Sequence, residues 1–183
     1  MPRHYPLPVV SFENWPARDR AAWHAALRPA AVFEERQSLS RFPESRMPRF
    51  AQAWGRWLGY LQHVGAWEGS TTEGCRHSLK AGPHIADSGM VPQVRARLGT
   101  PGASGLDLLD RDHLQGFLDV MTAHLASCTV RHYLTDLWTL VRHMDPDREY
   151  TDLHRATLWI WRTARPEGDK AQRVVPASEL YAL

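Results

Sequence analysis

The stretch Ser127-Cys128-Thr129-Val130-Arg131-His132-Tyr133-Leu134-Thr135-Asp136-Leu137-Trp138-Thr139-Leu140-Val141-Arg142-His143-Met144 decides how this chain is read. Its apolar residues at Val130, Tyr133, Leu134, Leu137, Trp138, Val141 and Met144 recur at i, i+3, i+4 and i+7, the spacing of a helix with one buried face. Ser127 or Thr129 can accept a hydrogen bond from a free amide N–H of the first turn, and Pro146 disfavours helical geometry just before it, so both ends are marked. The other face carries Arg131, His132, Thr135, Thr139, Arg142 and His143, with Asp136 as its one acid. Such a basic, hydroxyl-bearing face could meet phosphate.

Helices flank this stretch on both sides. Before it, Asp110 is a plausible cap for a helix with Leu114, Phe117, Leu118, Met121 and Leu125 on one face, weakened but not broken by Gly116. The tight Ala126-Ser127-Cys128 link predicts that the two helices are antiparallel neighbours. After Asp145-Pro146-Asp147, a last helix runs from Thr151 or Asp152 to Ala164. Its Leu153, Ala156, Leu158, Trp159, Ile160 and Trp161 make an apolar surface broader than one stripe. A linker follows over residues 165–170, and residues 174–183 read as the entry to a further helix.

Toward the amino terminus, residues 1–14 are proline-rich and extended, an arm or leader strand with no periodicity for packing alone. Asn14-Trp15-Pro16 opens a short helix that stops at Pro29, and residues 30–43 read as a solvated connection containing Glu34, Glu35, Arg36, Gln37 and Ser38. A second strong helix spans residues 44–64 and is closed by Gly65, with Phe50, Ala53, Trp54, Trp57, Leu58 and Leu61 facing inward. At about 100° per residue, Ser45, Arg49, Gln52 and Arg56 project within one narrow sector on the opposite side. No acidic residue occurs between Arg46 and His63, whereas ordinary solvated helices mix both signs.

Residues 68–106 are broken by repeated Gly and Pro and read as an irregular insertion or long loop. Within it, Cys75, His77 and His84 match no zinc-module spacing and lack a clear fourth ligand, so no metal is expected. No His-Glu-x-x-His, phosphate-cradling glycine loop, Cys-x-x-Cys pair or dinucleotide fingerprint occurs, and the ten histidines are scattered. The chain is therefore not expected to be an enzyme, and neither catalytic residues nor cofactors are assigned.

The 183 residues suffice for one ordinary helical domain. Two cysteines in a chain of this size fit reduced thiols in a cytoplasmic compartment better than a structural bridge. There is no signal-peptide run, and nothing approaches the roughly 18 uninterrupted apolar residues of a membrane span. A net charge of +2 does not by itself imply an anionic partner. Of 22 basic residues only Lys80 and Lys170 are lysines, a bias that fits either high-GC codon usage or selection for the bidentate phosphate geometry of arginine. Eight tryptophans point to a core built on large aromatic anchors.

Five pieces, taken in order, resemble the amino-terminal half of tyrosine recombinases, the phage-type integrase family, and in particular an integrase-like group common in bacteria. They are residues 15–23 (Trp-Pro-Ala-Arg-Asp-Arg-Ala-Ala-Trp), 54–61 (Trp-Gly-Arg-Trp-Leu-Gly-Tyr-Leu), 129–137 (Thr-Val-Arg-His-Tyr-Leu-Thr-Asp-Leu), 145–150 (Asp-Pro-Asp-Arg-Glu-Tyr) and 175–181 (Val-Pro-Ala-Ser-Glu-Leu-Tyr). The resemblance implies an all-α fold, an orthogonal four- to five-helix bundle of the integrase core-binding type. It implies an amino-terminal arm and short helix over residues 1–43, a helical core-binding domain over 44–165, and over 166–183 a linker with the start of a carboxy-terminal catalytic domain. The family's catalytic positions would then lie beyond Leu183, and Tyr181 is not a candidate nucleophile.

The resemblance further implies a module that clamps double-stranded DNA for site-specific recombination and integration of a mobile element, near the bacterial nucleoid, with other recombinase protomers as possible partners and no membrane. The helix over residues 44–64 would present Ser45, Arg46, Arg49, Gln52 and Arg56 to the major groove. Thr129, Arg131 and His132 would hold a phosphate at the start of their helix, and Lys170 and Arg173 would track the backbone. The competing expectation is a helical protein-interaction module that docks a partner, or another copy, through a Trp-rich surface around Trp159 and Trp161.

Overall fold

The computed structural model describes residues 7–30, 38–67 and 104–164. Among these the chain is all-helical, with no strand and with five α-helices: α1 (Ala17–Leu27), α2 (Met47–His63), α3 (Arg111–His124), α4 (Ser127–Met144) and α5 (Thr151–Thr163). Short 3-10 turns lie at Phe12–Asn14, Leu39–Arg41 and Glu44–Arg46. No helix among the described residues is long and apolar enough to cross a membrane.

Helix α4 packs against all four other helices, most extensively against α5. Val130, Leu134, Leu137, Val141 and Met144 are buried as their spacing predicts, and Leu140 joins them. Tyr133 and Trp138 sit half-buried on the rims. Two expectations change here. The residue at the amino-terminal cap is Ala126, which makes no side-chain cap bond, and neither Ser127 nor Thr129 holds that position. The opposite face is also less open than its composition implies, because Asp136 and His143 are both buried. His143 donates from Nδ1 to the Thr139 carbonyl at 2.6 Å and meets the Phe42 ring edge-on at 5.7 Å.

Helix α2 buries Phe50, Ala53, Trp54, Trp57, Leu58 and Leu61, as expected. Pro48 sits in its first turn, where a missing N–H costs little. Gly65, at φ 69°, ends it by donating to Gln62 O at 3.0 Å while Ala66 donates to Leu61 O at 2.8 Å, the left-handed cap that glycine adopts most easily. On the back of α2, residues 7–10 cross directly over Gly55 and Gly59. Val10 N–H donates to the Gly55 carbonyl at 3.0 Å, and Leu7 and Val10 are buried. The extended leader thus finds on a glycine-lined helix the packing partner that it lacks by itself.

Four buried tryptophans anchor the core: Trp15 meets Trp23 edge-on at 5.5 Å and Trp54 at 6.3 Å, while Trp57 meets Phe117 at 5.4 Å. Asp110 caps α3 as expected, its Oδ1 accepting the N–H groups of Asp112 at 3.1 Å and His113 at 3.0 Å.

The described ends of the solvated connection and of the irregular loop contribute residues to the core. In the connection over residues 30–43, Leu39 is buried, and buried Ser38 donates from Oγ to Ala26 O at 3.1 Å. At the end of the irregular stretch, Ser104, Gly105 and Leu106 are buried. They begin a strap held from four directions: by the Asp19 carboxylate on Ser104 and Gly105, by Trp57 Nε1 on Gly105 O at 3.0 Å, by Arg148 on Leu106 O at 2.9 Å, and by Arg18 on Asp107 at 2.8 Å. Glu34 to Gln37, the rest of the stretch with Cys75, His77 and His84, and the linker lie outside the described residues.

Candidate nucleic-acid interface

The seam between α2 and α4 joins two arginines of the expected α2 ridge to the acid of α4. Arg46 and Arg49, one turn apart at the start of α2, converge on Asp136 of α4, Arg46 Nη2 lying 3.3 Å from Oδ1 and Arg49 Nη2 3.3 Å from Oδ2. The Asp136 side chain is only 6% exposed, whereas those of Arg46 and Arg49 are 36% and 55% exposed. A carboxylate so far removed from water needs a cation, and here each oxygen has one. Two guanidiniums on one carboxylate leave the seam with a net positive charge, and Arg49 keeps donors facing solvent. Arg46 also lies over the rings of Phe42, at 5.1 Å, and Phe50, at 5.2 Å, which fixes its stem against the core.

Ser45, Gln52, Thr129 and His132 are exposed. Arg56 departs from the expected ridge. It is buried, its guanidinium 4.9 Å from the centre of the Tyr133 ring on α4. The helical wheel placed it correctly on the ridge side, but that side of α2 descends into the seam by this turn, so Arg56 braces the two helices. Arg131 also departs. It turns toward α5 and lies 4.5 Å over the Trp161 ring, away from the first-turn amides of α4. Lys170 and Arg173 lie outside the described residues.

A second group spans two helices. Along α4, Arg131, Thr135, Trp138 and Arg142 form one row. Trp161 donates from Nε1 to Thr135 Oγ1 at 3.1 Å, His154 of α5 stacks on Trp138 at 4.8 Å, and Arg142 lies 5.3 Å from the same Trp138 ring. The spacing of Arg131, Thr135, Trp138 and Arg142 is helical and could have revealed the row, but not its partners.

Local sequence pattern does not mark Asp19. Its carboxylate is fully buried, accepts hydrogen bonds from Ser104 Oγ and from Gly105 N–H at 3.0 Å, and is pushed up to about 6 by burial, against the lowering effect of those two bonds. Sealed from solvent, it can organise the fold but cannot reach a substrate.

No group of three or more His, Cys, Asp or Glu residues placed to hold a metal ion occurs among the described residues. No family model, curated protein or solved structure matches the chain, so its relationships rest on the residues and geometry described above.

Proposed function

We propose that the chain is a helical DNA-binding module of the kind found in the core-binding half of tyrosine recombinases, with the α2–α4 seam as its phosphate-contacting face. The observation that carries this reading is the convergence of Arg46 and Arg49 on the single carboxylate of Asp136, which pre-orients two guanidiniums at the edge of solvent and leaves the site cationic. Oriented arginines lose less freedom on meeting a phosphate than unrestrained ones do. Exposed Ser45, Gln52, Thr129 and His132 are further hydrogen-bonding side chains on these two helices and the turn before α2, and Glu44 is the one acid between Arg41 and His63. Gln52 can pair with an adenine edge and Arg49 with guanine, once phosphate contacts have fixed the register.

The test is anisotropy of labelled random-sequence duplex DNA titrated with the chain over a salt series. Affinity should fall linearly in log affinity against log salt, and Arg49→Ala should reduce that slope by about one. Arg56 is unsuited to this test because its loss disturbs packing. Absence of binding at low salt would end the reading.

A second reading is favoured by a different observation. Trp159 and Trp161 are 54% and 53% exposed, with Leu158 also exposed between them in the helical sense. Under this reading the chain is a protein-interaction module, and Arg49→Ala leaves its partner binding intact.

A further inference from the structure

The outer face of α5 has an uncommon layout. At about 100° per residue, Trp159 and Trp161 lie about 160° apart around the helix, one on each flank of the exposed side. The crest between them is formed by Arg155, Arg162 and Leu158, all exposed. The Trp161 flank continues onto α4 through Arg131, 4.5 Å over its ring. Asp152 is the one acid on α5, and it is engaged by Arg155 at 3.7 Å. Arg162 has no carboxylate partner among the described residues.

This layout is poorly suited to a hydrophobic partner helix, which needs a continuous apolar stripe. Here the two indoles are separated by a cationic crest, and Leu158 is the one other large apolar side chain exposed on the helix. Two separated planar rings with arginines between them match instead the elements by which proteins hold unpaired nucleotides, with aromatic faces for bases and guanidiniums for the intervening phosphates. Charge complementarity also selects a polyanion.

We propose that the α5 face, with Arg131, binds single-stranded nucleic acid. The strand crosses the helix crest, stacks one base against Trp159 and another against Trp161, and sets its phosphates on Arg155 and Arg162. The inference extends the nucleic-acid reading to a second surface. The duplex test depends on Arg49 and this one on Trp159 and Trp161, so each can fail alone.

The experiment titrates the full chain with oligo(dT), following tryptophan fluorescence and the anisotropy of a labelled strand, with matched duplex in parallel. Stacking should quench part of the emission. Trp159→Ala and Trp161→Ala should each weaken oligo(dT) binding by about fivefold or more, Trp159→Phe should retain most of it, and none should alter the duplex salt slope. The Trp159 indole makes no hydrogen bond among the described residues, so Trp159→Ala carries the test even if Trp161→Ala disturbs the fold through Thr135. The proposal is overturned by absence of oligo(dT) binding at low salt, or by binding that Trp159→Ala leaves unchanged. It is equally overturned if sedimentation shows the wild-type chain self-associating through this face and the tryptophan variants abolishing that association, which would assign the face to a second copy.

Discussion

The Ser104 hydroxyl donates to the carboxylate of Asp19, 85 residues away in sequence, with both side chains sealed from water. This bond joins α1 to the strap that leads into α3, and it places a titratable group in the core of the bundle.

A pH dependence follows. Asp19 has a folded pKa of about 6 against an ordinary value of 3.8, so between these values the native state holds a proton that the unfolded chain has released. Its contribution to stability is therefore greatest below 3.8, falls as pH rises through that window, and stays low above about 6. The total loss is at most about 3 kcal/mol. Urea unfolding of wild type and Asp19→Asn at about pH 4 and about pH 7 isolates the effect from the other carboxylates, since the variant should lack this component of the slope.

Gly59 sits beneath the leader. A methyl group there would collide with the backbone carbonyl of Pro8, and one at Gly55 would meet the Val10 carbonyl at 2.5 Å. Backbone has little freedom to yield, so Gly59→Ala should cost about 1–3 kcal/mol, as overpacking does. Thermal melting checks this. An unchanged midpoint would mean that residues 7–10 do not rest on α2 in solution.

The two α2 arginines should separate by phenotype. Arg56→Ala removes a buried guanidinium from the face of Tyr133 and should lower stability by about 1–3 kcal/mol, whereas Arg49→Ala leaves Asp136 paired with Arg46 and should cost less while reducing duplex binding. Paired melting and anisotropy measurements test the distinction. Equal stability losses in both would contradict the placement of Arg56.

Asp110 holds the start of α3 through two amides, and both its oxygens lie 2.9 Å from Nδ1 of buried His113. Asp110→Ala should cost about 1 kcal/mol or somewhat more, and Asp110→Asn, which keeps the amide acceptor, should recover most of it. Denaturant midpoints of the two variants provide the comparison.

Helices α2, α3 and α4 were legible because each carries a strong apolar period and a marked end: Gly65 for α2, Pro146 after α4, and Asp110 at the start of α3. Local pattern could not reveal contacts whose partners are remote in sequence. The Asp136 pairing with Arg46 and Arg49 explains why an acid-free face on α2 is tolerable, since its acid arrives from another helix. Leu39 and Leu106 lie in segments too short and too polar for periodicity to register, yet both are buried. Arg56 shows the limit of the helical wheel, which gives the direction of a side chain but not what will stand in front of it.

The four-way hold on the strap beginning at Ser104 also bears on evolutionary freedom. Asp19, Trp57, Arg148 and Arg18 fix the residues at which the chain rejoins the bundle, while the Gly65 cap fixes the turn by which it leaves α2. A change at any of those four side chains, or at Gly65, would move the point at which the chain leaves or rejoins the bundle, so homologous chains should vary little at these positions.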